Sequence, residues 1–354
     1  MPSYAGSVTA QLSTSPLLAR PGAVPASGPD AAVAAHYGDP MREQRLLAEG
    51  LAVVDLSHRG VVTVTGPDRL SWLHSLTTQQ LTDLAPRVGT ETLLLSPKGH
   101  IENALHVVDD GETTWITVEP GAAPALVEFL DRMRFMLRVE VADVSGQYAV
   151  LGEPIGAPSV PGEPLAWVDP WPGPVGDTAV YGPAEAHPAQ GRAWRELIVP
   201  RAELESAIGD RAVAGLWAAE AERVQAWRPR FGAETDHRTI PHELDWLRTA
   251  VHLHKGCYRG QETIARVHNL GRPPRRLLFA HLDGSGHVLP VPGSEIVHAG
   301  RSIGRLTSVA RDHVDGPIAL AVVKRNTPVD VELTTVPVGD EAPVTLAQTV
   351  VVEP

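Results

Sequence analysis

His254-Lys255-Gly256-Cys257-Tyr258-Arg259-Gly260-Gln261-Glu262-Thr263 holds the only cysteine of the chain. A thiolate is the reactive form of that side chain, and nearby cations lower its pKa. Lys255, Arg259 and His254 supply the cations, while Gly256 and Gly260 let the backbone approach a ligand closely. Such a stretch suits a redox-active, metal-handling or ligand-touching thiol. The alternative is a small residue buried in a glycine-rich turn. His252, His254 and His268 are near Cys257 in sequence, but their spacing matches no zinc pattern and no second cysteine exists. No stable metal site is expected. Contact of the single thiolate with iron or an iron–sulfur species stays open.

A second polar concentration runs from Arg223 to Glu243. Arg223, Gln225, Trp227, Glu234 and Glu243 crowd there with further arginines and histidines. An aromatic plane among cations suits a flat heterocycle with an anionic tail. The same residues could be a solvated helix end and loop. Gly284-Ser285-Gly286 fails as a dinucleotide loop, because Leu289 stands where a third glycine belongs and Pro290 follows. No Walker loop, nucleophile elbow or HExxH occurs.

These residues need a frame. Residues 1–35 are rich in Ala, Pro, Ser and Gly without apolar periodicity, and read as a disordered or loosely packed tail. From residue 36 to 270, short β-branched runs alternate with few helices and frequent hairpin turns. Glu43–Gly50, Arg69–Leu76, Ala123–Met136, Ala202–Ile208 and Gly215–Trp227 read as helices. Leu51–Leu56, Gly60–Gly66, Thr92–Ser96, Asn103–Val108, Thr114–Val118, Leu137–Val141 and Arg195–Pro200 read as strands. The order implies an α+β body with largely antiparallel sheets. Residues 152–187, dense in Pro and Gly, read as an irregular surface insertion. His252 and His254 are expected on one face of a strand. Residues 271–354 carry short strands between Gly/Pro turns, as in a small all-β barrel or sandwich.

The 354 residues carry 30 basic and 42 acidic side chains, net −12. That balance argues against nucleic acid or an anionic membrane as main partner. One cysteine makes no internal disulfide, which fits a reducing cytoplasm. No signal peptide or membrane span is read.

Lys255-Gly256-Cys257-Tyr258-x-Gly260-Gln261-Glu262 resembles the signature of YgfZ-type folate-binding proteins of the GcvT-like (glycine-cleavage T-protein) family. Val54–Gly60, Val64–Asp68, Leu73-x-x-Leu76-Thr77-Thr78, Ile240-Pro241-x-Glu243 and Gly316–Ala321 extend the resemblance over residues 36 to 335. It implies lobes around a central opening, a C-terminal β-barrel, and tetrahydrofolate or a one-carbon derivative in the opening. It also implies a role in building or repairing iron–sulfur clusters of client enzymes, some of which modify tRNA, with Cys257 as the functional thiol. Lys255, Gly256, Tyr258, Gly260, Gln261 and Glu262 carry over as motif positions. Arg223, Gln225, Trp227, Glu234, Glu243 and Arg259 are the expected folate contacts, with Trp227 stacking on the pterin and Cys257 at the mouth.

Aminomethyltransferase members of the family carry an acidic pair after a glycine-rich turn. Here Gly99-His100-Ile101-Glu102-Asn103-Ala104 puts Asn103 and Ala104 at those positions, with Glu102 one step early. On a strand one step reverses the face. The leading expectation is therefore a folate-binding accessory protein. The alternatives are a folate-dependent aminomethyl- or methyltransferase using Glu102, and a non-catalytic scaffold.

Overall fold

The computed structural model describes residues 14–155, 160–286, 289–337 and 343–354. Residues 1–13 of the expected tail and 156–159 of the expected insertion lie outside them.

The expectation of a tail to residue 35 is corrected from Ser15 onward. Strands β1 (Val24–Pro25) and β2 (Ala34–His36) pair antiparallel, and a single 3-10 turn, Gly28–Asp30, forms the tip between them. Leu17 and Val33 are fully buried in two different core clusters. Few apolar side chains suffice because each is seated completely, so low periodicity did not mean no core contact.

Helix α1 (Pro40–Ala48) starts where Asp39 accepts from the Arg42 N–H, with Pro40 at its first turn. Strand β3 (Ala52–Asp55) is buried, and β4 (Gly60–Thr65) follows. Helix α2 (Arg69–Leu76) precedes β5 (Gly89–Leu95), β6 (Ile101–Asp109) and β7 (Thr113–Val118); α3 (Ala123–Met133) leads to β8 (Glu140–Asp143). One antiparallel sheet runs β5-β6-β7-β4-β8. The expected strand Leu137–Val141 is shifted onward. Arg134 to Leu137 are instead an exposed connection, with Phe135 held at φ 46°.

Strands β9 (Tyr148–Glu153), β10 (Leu165–Val168) and β11 (Arg195–Pro200) follow. After α4 (Leu204–Ile208), β12 (Ala212–Ala214) pairs parallel with β3 and completes a second sheet, β10-β11-β9-β3-β12. Residues 152–187 are not simply a surface insertion. They carry Trp167 and Trp171, both fully buried, and the Trp171 indole N–H donates to the Ala226 carbonyl at 2.9 Å.

Helix α5 (Leu216–Gln225) begins at Gly215, where a methyl group would meet the Ala35 carbonyl oxygen at 2.2 Å. Glu43 accepts from both the Tyr37 and Gly215 N–H groups, tying the N-terminal segment to this helix start. Short α6 (Leu247–Ala250) and α7 (Gln261–Leu270) flank the cysteine stretch. His252 and His254 lie in an irregular loop rather than a strand. Its N–H groups go to single loop carbonyls, Thr78 from His252 and Asp177 from Leu253.

Strands β13 (Arg275–Leu282), β14 (Glu295–His298), β15 (Arg301–Asp312), β16 (Gly316–Lys324), β17 (Leu333–Thr335) and β18 (Thr345–Val350) close into a six-stranded antiparallel barrel, β13-β16-β15-β14-β17-β18. Closure removes the unpaired sheet edges. The molecule is thus α+β, as the alternation of short strands implied, with almost all pairing antiparallel.

Candidate functional site

Two chambers lie where the two sheets, α5 and the N-terminal segment meet. The inner one encloses about 50 Å³. Its walls come from strand ends and the loops just beyond them: Arg59 before β4, Ala104 and His106 of β6, Trp167 of β10, Glu196 of β11 and Arg228 after α5. The outer one, about 700 Å³, is bounded by the 26–30 segment, α5 and the barrel strand β15.

Charges pack the inner chamber. Arg59 Nη1 donates to Glu196 Oε1 at 2.7 Å and Oε2 at 2.9 Å, and His106 Nδ1 lies 3.1 Å from Oε2. Burial by itself would raise the Glu196 carboxyl. The Arg59 guanidinium and His106 outweigh it and hold the carboxyl well below its usual range. The His106 ring stacks on Trp167, centroids 3.7 Å apart and planes within 4°. Arg228 donates to Glu91 Oε2 at 2.7 Å and to Asp169 at 3.3 Å, and Arg192 donates to Asp169 at 2.8 Å.

Four buried atoms of chamber residues have no partner: His58 Nδ1, Arg59 Nε, Arg228 Nη1 and the Thr117 hydroxyl oxygen. Buried donors without acceptors are costly, so the chamber suits a group offering carbonyl or ring-nitrogen acceptors. Trp167 and Trp194 also line it, with the His106 ring stacked on Trp167. At about 50 Å³ the void holds only a few waters, so a bicyclic ring enters only when a wall moves.

The expected folate contacts divide. Arg223 reaches both chambers' common wall through Glu220, but its donors are spent on Glu220, Glu234, Ser308 and the Arg228 carbonyl. Gln225 lies two residues on, about 200° round the helix, and donates instead to Asp315 of the barrel domain. Trp227, at φ 56°, turns into the core with ring contacts to His187 and Phe279, so it is not a stacking platform in the chamber. Glu234 is fully buried and accepts from Arg223, Arg230 N–H and Ser308. Glu243 caps its own 3-10 turn at Ile240 N–H and accepts from Arg275. Arg259 pairs with Glu102 at 2.9 Å. Of the six, only Arg223 lines the inner chamber. Charge crowding in sequence marked part of the wall, Arg223, Arg228 and Arg230, together with the network that carries it.

Cys257 is exposed. Residues 252–262 line neither chamber, so the cysteine does not stand at this mouth. Its loop is fixed by its motif neighbours. Gly260, at φ 85°, starts α7, and a methyl group there would meet the Ser96 carbonyl oxygen at 2.6 Å and the Gly99 Cα at 3.0 Å. The motif therefore packs directly on the β5–β6 turn. Gly256 adopts φ 100° in open space, where conformation alone favours glycine. Lys255 is buried, donates to the His74 carbonyl and lies 5.1 Å from the Tyr258 ring centre. Burial pushes its ammonium down to about 8. Tyr258 is buried in the largest core cluster, while Gln261 and Glu262 sit in the first turn of α7. Arg259 lies over the Phe129 ring of α3 at 5.5 Å.

On β6, Ala104 and His106 line the inner chamber. Asn103, just before Ala104 and on the opposite face of the strand, pairs across to Leu94 and is buried with its Oδ1 unpartnered. Glu102 is exposed beside Arg259. No acid of β6 therefore lines this chamber.

The chain superposes over 96% of its length on 95% of the glycine cleavage system aminomethyltransferase T from Bartonella henselae, with TM-score 0.70 and 18% identity. The fold is that of an aminomethyltransferase. Residues 31–152 match the GCVT N-terminal domain. An aminomethyltransferase of Synechococcus sp. (strain RCC307) is 28% identical over 334 residues, covering 85% of this chain and 86% of its own. A chloroplastic protein of Arabidopsis thaliana, provisionally named transferase At1g60990, is 29% identical over 288 residues, or 73% of this chain. That match spans 62% of the Arabidopsis protein, less than two thirds of its length. Among the described residues no helix is long and apolar enough to cross a membrane.

The chamber residues Arg59, His106, Trp167, Glu196 and Arg228 were not singled out as ligand contacts from sequence. One signal was available: Glu196 interrupts an otherwise apolar strand, Leu197-Ile198-Val199, beside Trp194. A carboxylate in a buried strand requires a partner, and that partner marks a site.

Proposed function

We propose that this aminomethyltransferase fold serves as a folate-binding accessory protein of iron–sulfur cluster assembly or repair, acting through the Cys257 thiol in a reducing cytoplasm. The observation that carries this reading is on β6: the chamber-facing position is Ala104, and the nearest acid, Glu102, is outside and paired with Arg259. The exposed thiol on its fixed loop is the nucleophile available to a client.

Tetrahydrofolate would sit with its ring between Trp167 and Trp194. Arg59 Nε, Arg228 Nη1 and the Thr117 hydroxyl would donate to its acceptor edge. Bound folate would supply a one-carbon carrier, while the chain binds, orients and shields the ring. Client enzymes or assembly proteins, rather than nucleic acid, would meet the Cys257 face.

The names of the relatives support a second reading, folate-dependent aminomethyl or methyl transfer. Two measurements separate them. Calorimetric titration with tetrahydrofolate tests the ligand, and turnover of a methylamine donor with tetrahydrofolate tests the enzyme. The accessory reading expects binding without turnover, and loss of iron–sulfur enzyme activity in a deletion strain carrying Cys257→Ser. Turnover abolished by Glu102→Gln, with Cys257→Ser fully active in cells, would reverse the choice.

A further inference from the structure

The inner and outer chambers share one partition, made by Glu119, Leu216, Glu220, Arg230 and Phe231. At its centre Arg230 grips Asp30 with both terminal nitrogens, Nη1 to Oδ2 at 3.0 Å and Nη2 to Oδ1 at 2.7 Å. This is the bidentate fork in which an arginine holds a carboxylate best. Arg230 Nε donates to Glu119 at 2.8 Å, and Glu220 lies 3.7 Å away. Asp30 also reaches across to His58, whose Nε2 is 2.9 Å from Oδ1 and whose ring lines the inner chamber.

Asp30 does not belong to the lobes that build the chamber. It sits at the tip of the N-terminal hairpin, on the 3-10 turn Gly28–Asp30 between β1 and β2. Gly28 and Pro29 beside it are exposed, and the tip is held by short turns, Asp30 N–H to the Ser27 carbonyl and Ala31 N–H to the Gly28 carbonyl, both at 3.3 Å. The base is anchored by Val33, Ala34 and Ala35 in the core. A two-stranded hairpin of this size has little stability of its own, so its tip is held down largely by this ion pair.

We infer that the N-terminal hairpin is a strap that closes the inner chamber, with the Asp30 carboxylate standing on Arg230 in the place a ligand carboxylate would take. A ligand whose flat head enters the inner chamber and whose tail carries a carboxylate replaces Asp30, lifts the tip and leaves its tail in the 700 Å³ outer chamber. Arg305, whose Nη2 makes no hydrogen bond and lies 4.0 Å from Asp236, and the polar side chains of Thr307 and Ser308 line that chamber. Asp30 reaches the inner chamber through His58 and Arg230, which line it, so lifting the tip frees two wall residues of a void smaller than a bicyclic ring. The inference rests on the folate reading for its ligand, but not for the strap itself.

The test has two arms. Without ligand, hydrogen exchange of amides 26–33 is followed in wild type, Asp30→Ala and Asp30→Asn. Both variants are expected to exchange at least about tenfold faster at the tip, with unchanged protection of β9 and β11. With ligand, wild type and Asp30→Ala are titrated with tetrahydrofolate and with 6-methyltetrahydropterin, which has no carboxylate. Removing the strap is expected to tighten both by a similar factor, about tenfold, because the open state no longer has to be populated at the ion pair's cost. In Arg230→Gln the preference for tetrahydrofolate over the pterin is expected to fall. Unchanged tip exchange in both Asp30 variants overturns the strap. Faster tip exchange without binding of either pterin leaves the strap standing and sinks the folate reading.

Discussion

Arg59 and Glu196, 137 residues apart in the chain, meet at 2.7 Å in the wall of the inner chamber. Arg59 stands in the turn between β3 and β4 and Glu196 on β11, so the pair ties that turn to the second sheet. Glu196 is 2% exposed, and taking one charge away leaves the other without its partner. Glu196→Gln is expected to cost about 3 kcal/mol or more in chemical denaturation. The double variant Arg59→Met/Glu196→Leu is expected to recover most of that loss, because no buried charge remains unpaired.

The same carboxyl sets an acid limit. Its folded pKa is depressed below the ordinary 4.5, so it contributes stability that is fully present above that value. The contribution is lost as pH falls below about 4.5 toward the folded value. Asp30, also depressed because His58 and Arg230 outweigh its burial, follows the same direction. Unfolding free energy measured from pH 6 to 3 is expected to fall less steeply in Glu196→Gln than in wild type.

Lys255 gives the same slope in a different pH window, because burial disfavours its charged form. Burial lowers its folded pKa to about 8 from 10.5, so between these values the unfolded chain binds more protons than the folded one. Its share of stability therefore rises as pH climbs from 8 to about 10.5. Lys255→Met is expected to remove that rise without lowering the melting temperature at pH 7. A large loss at pH 7 would show that the Lys255 bond to the His74 carbonyl outweighs the desolvation.

The two motif glycines separate conformation from contact. Gly256→Ala bears only the left-handed backbone, about 1–2 kcal/mol. Gly260→Ala bears the same cost and also drives a methyl group into the Ser96 carbonyl. It is expected to destabilise more than Gly256→Ala and to speed reaction of Cys257 with a thiol reagent, as the loop detaches from the β5–β6 turn. Equal melting temperatures for the two would contradict this packing.

Cys257 itself is exposed, so Cys257→Ser is expected to leave stability within about 0.5 kcal/mol of wild type. One thiol should react in the native protein without denaturant. A thiol reactive only after unfolding would mean the loop is covered.

The sequence alone determined the alternation of short strands and turns, and with it the antiparallel α+β body and a small all-β C-terminal domain. Those follow from local period and turn chemistry, which act within about ten residues. It also marked the glycine–cysteine motif, whose backbone demands are local. The barrel was implied by the family resemblance, and its closure is seen in the structure. The chamber was decided only by tertiary structure. Arg59, His106, Glu196 and Arg228 are far apart in the chain, and only sheet packing brings them together. Trp227 and Gln225 lie off the inner chamber because a helix period and one left-handed residue send neighbours to different faces. The N-terminal segment was misread for a related reason: a few fully buried side chains and one bidentate ion pair hold it, and neither leaves a periodic trace. The absence of a chamber-facing acid at Ala104 was legible as a residue type; that this position faces the chamber was settled by the fold.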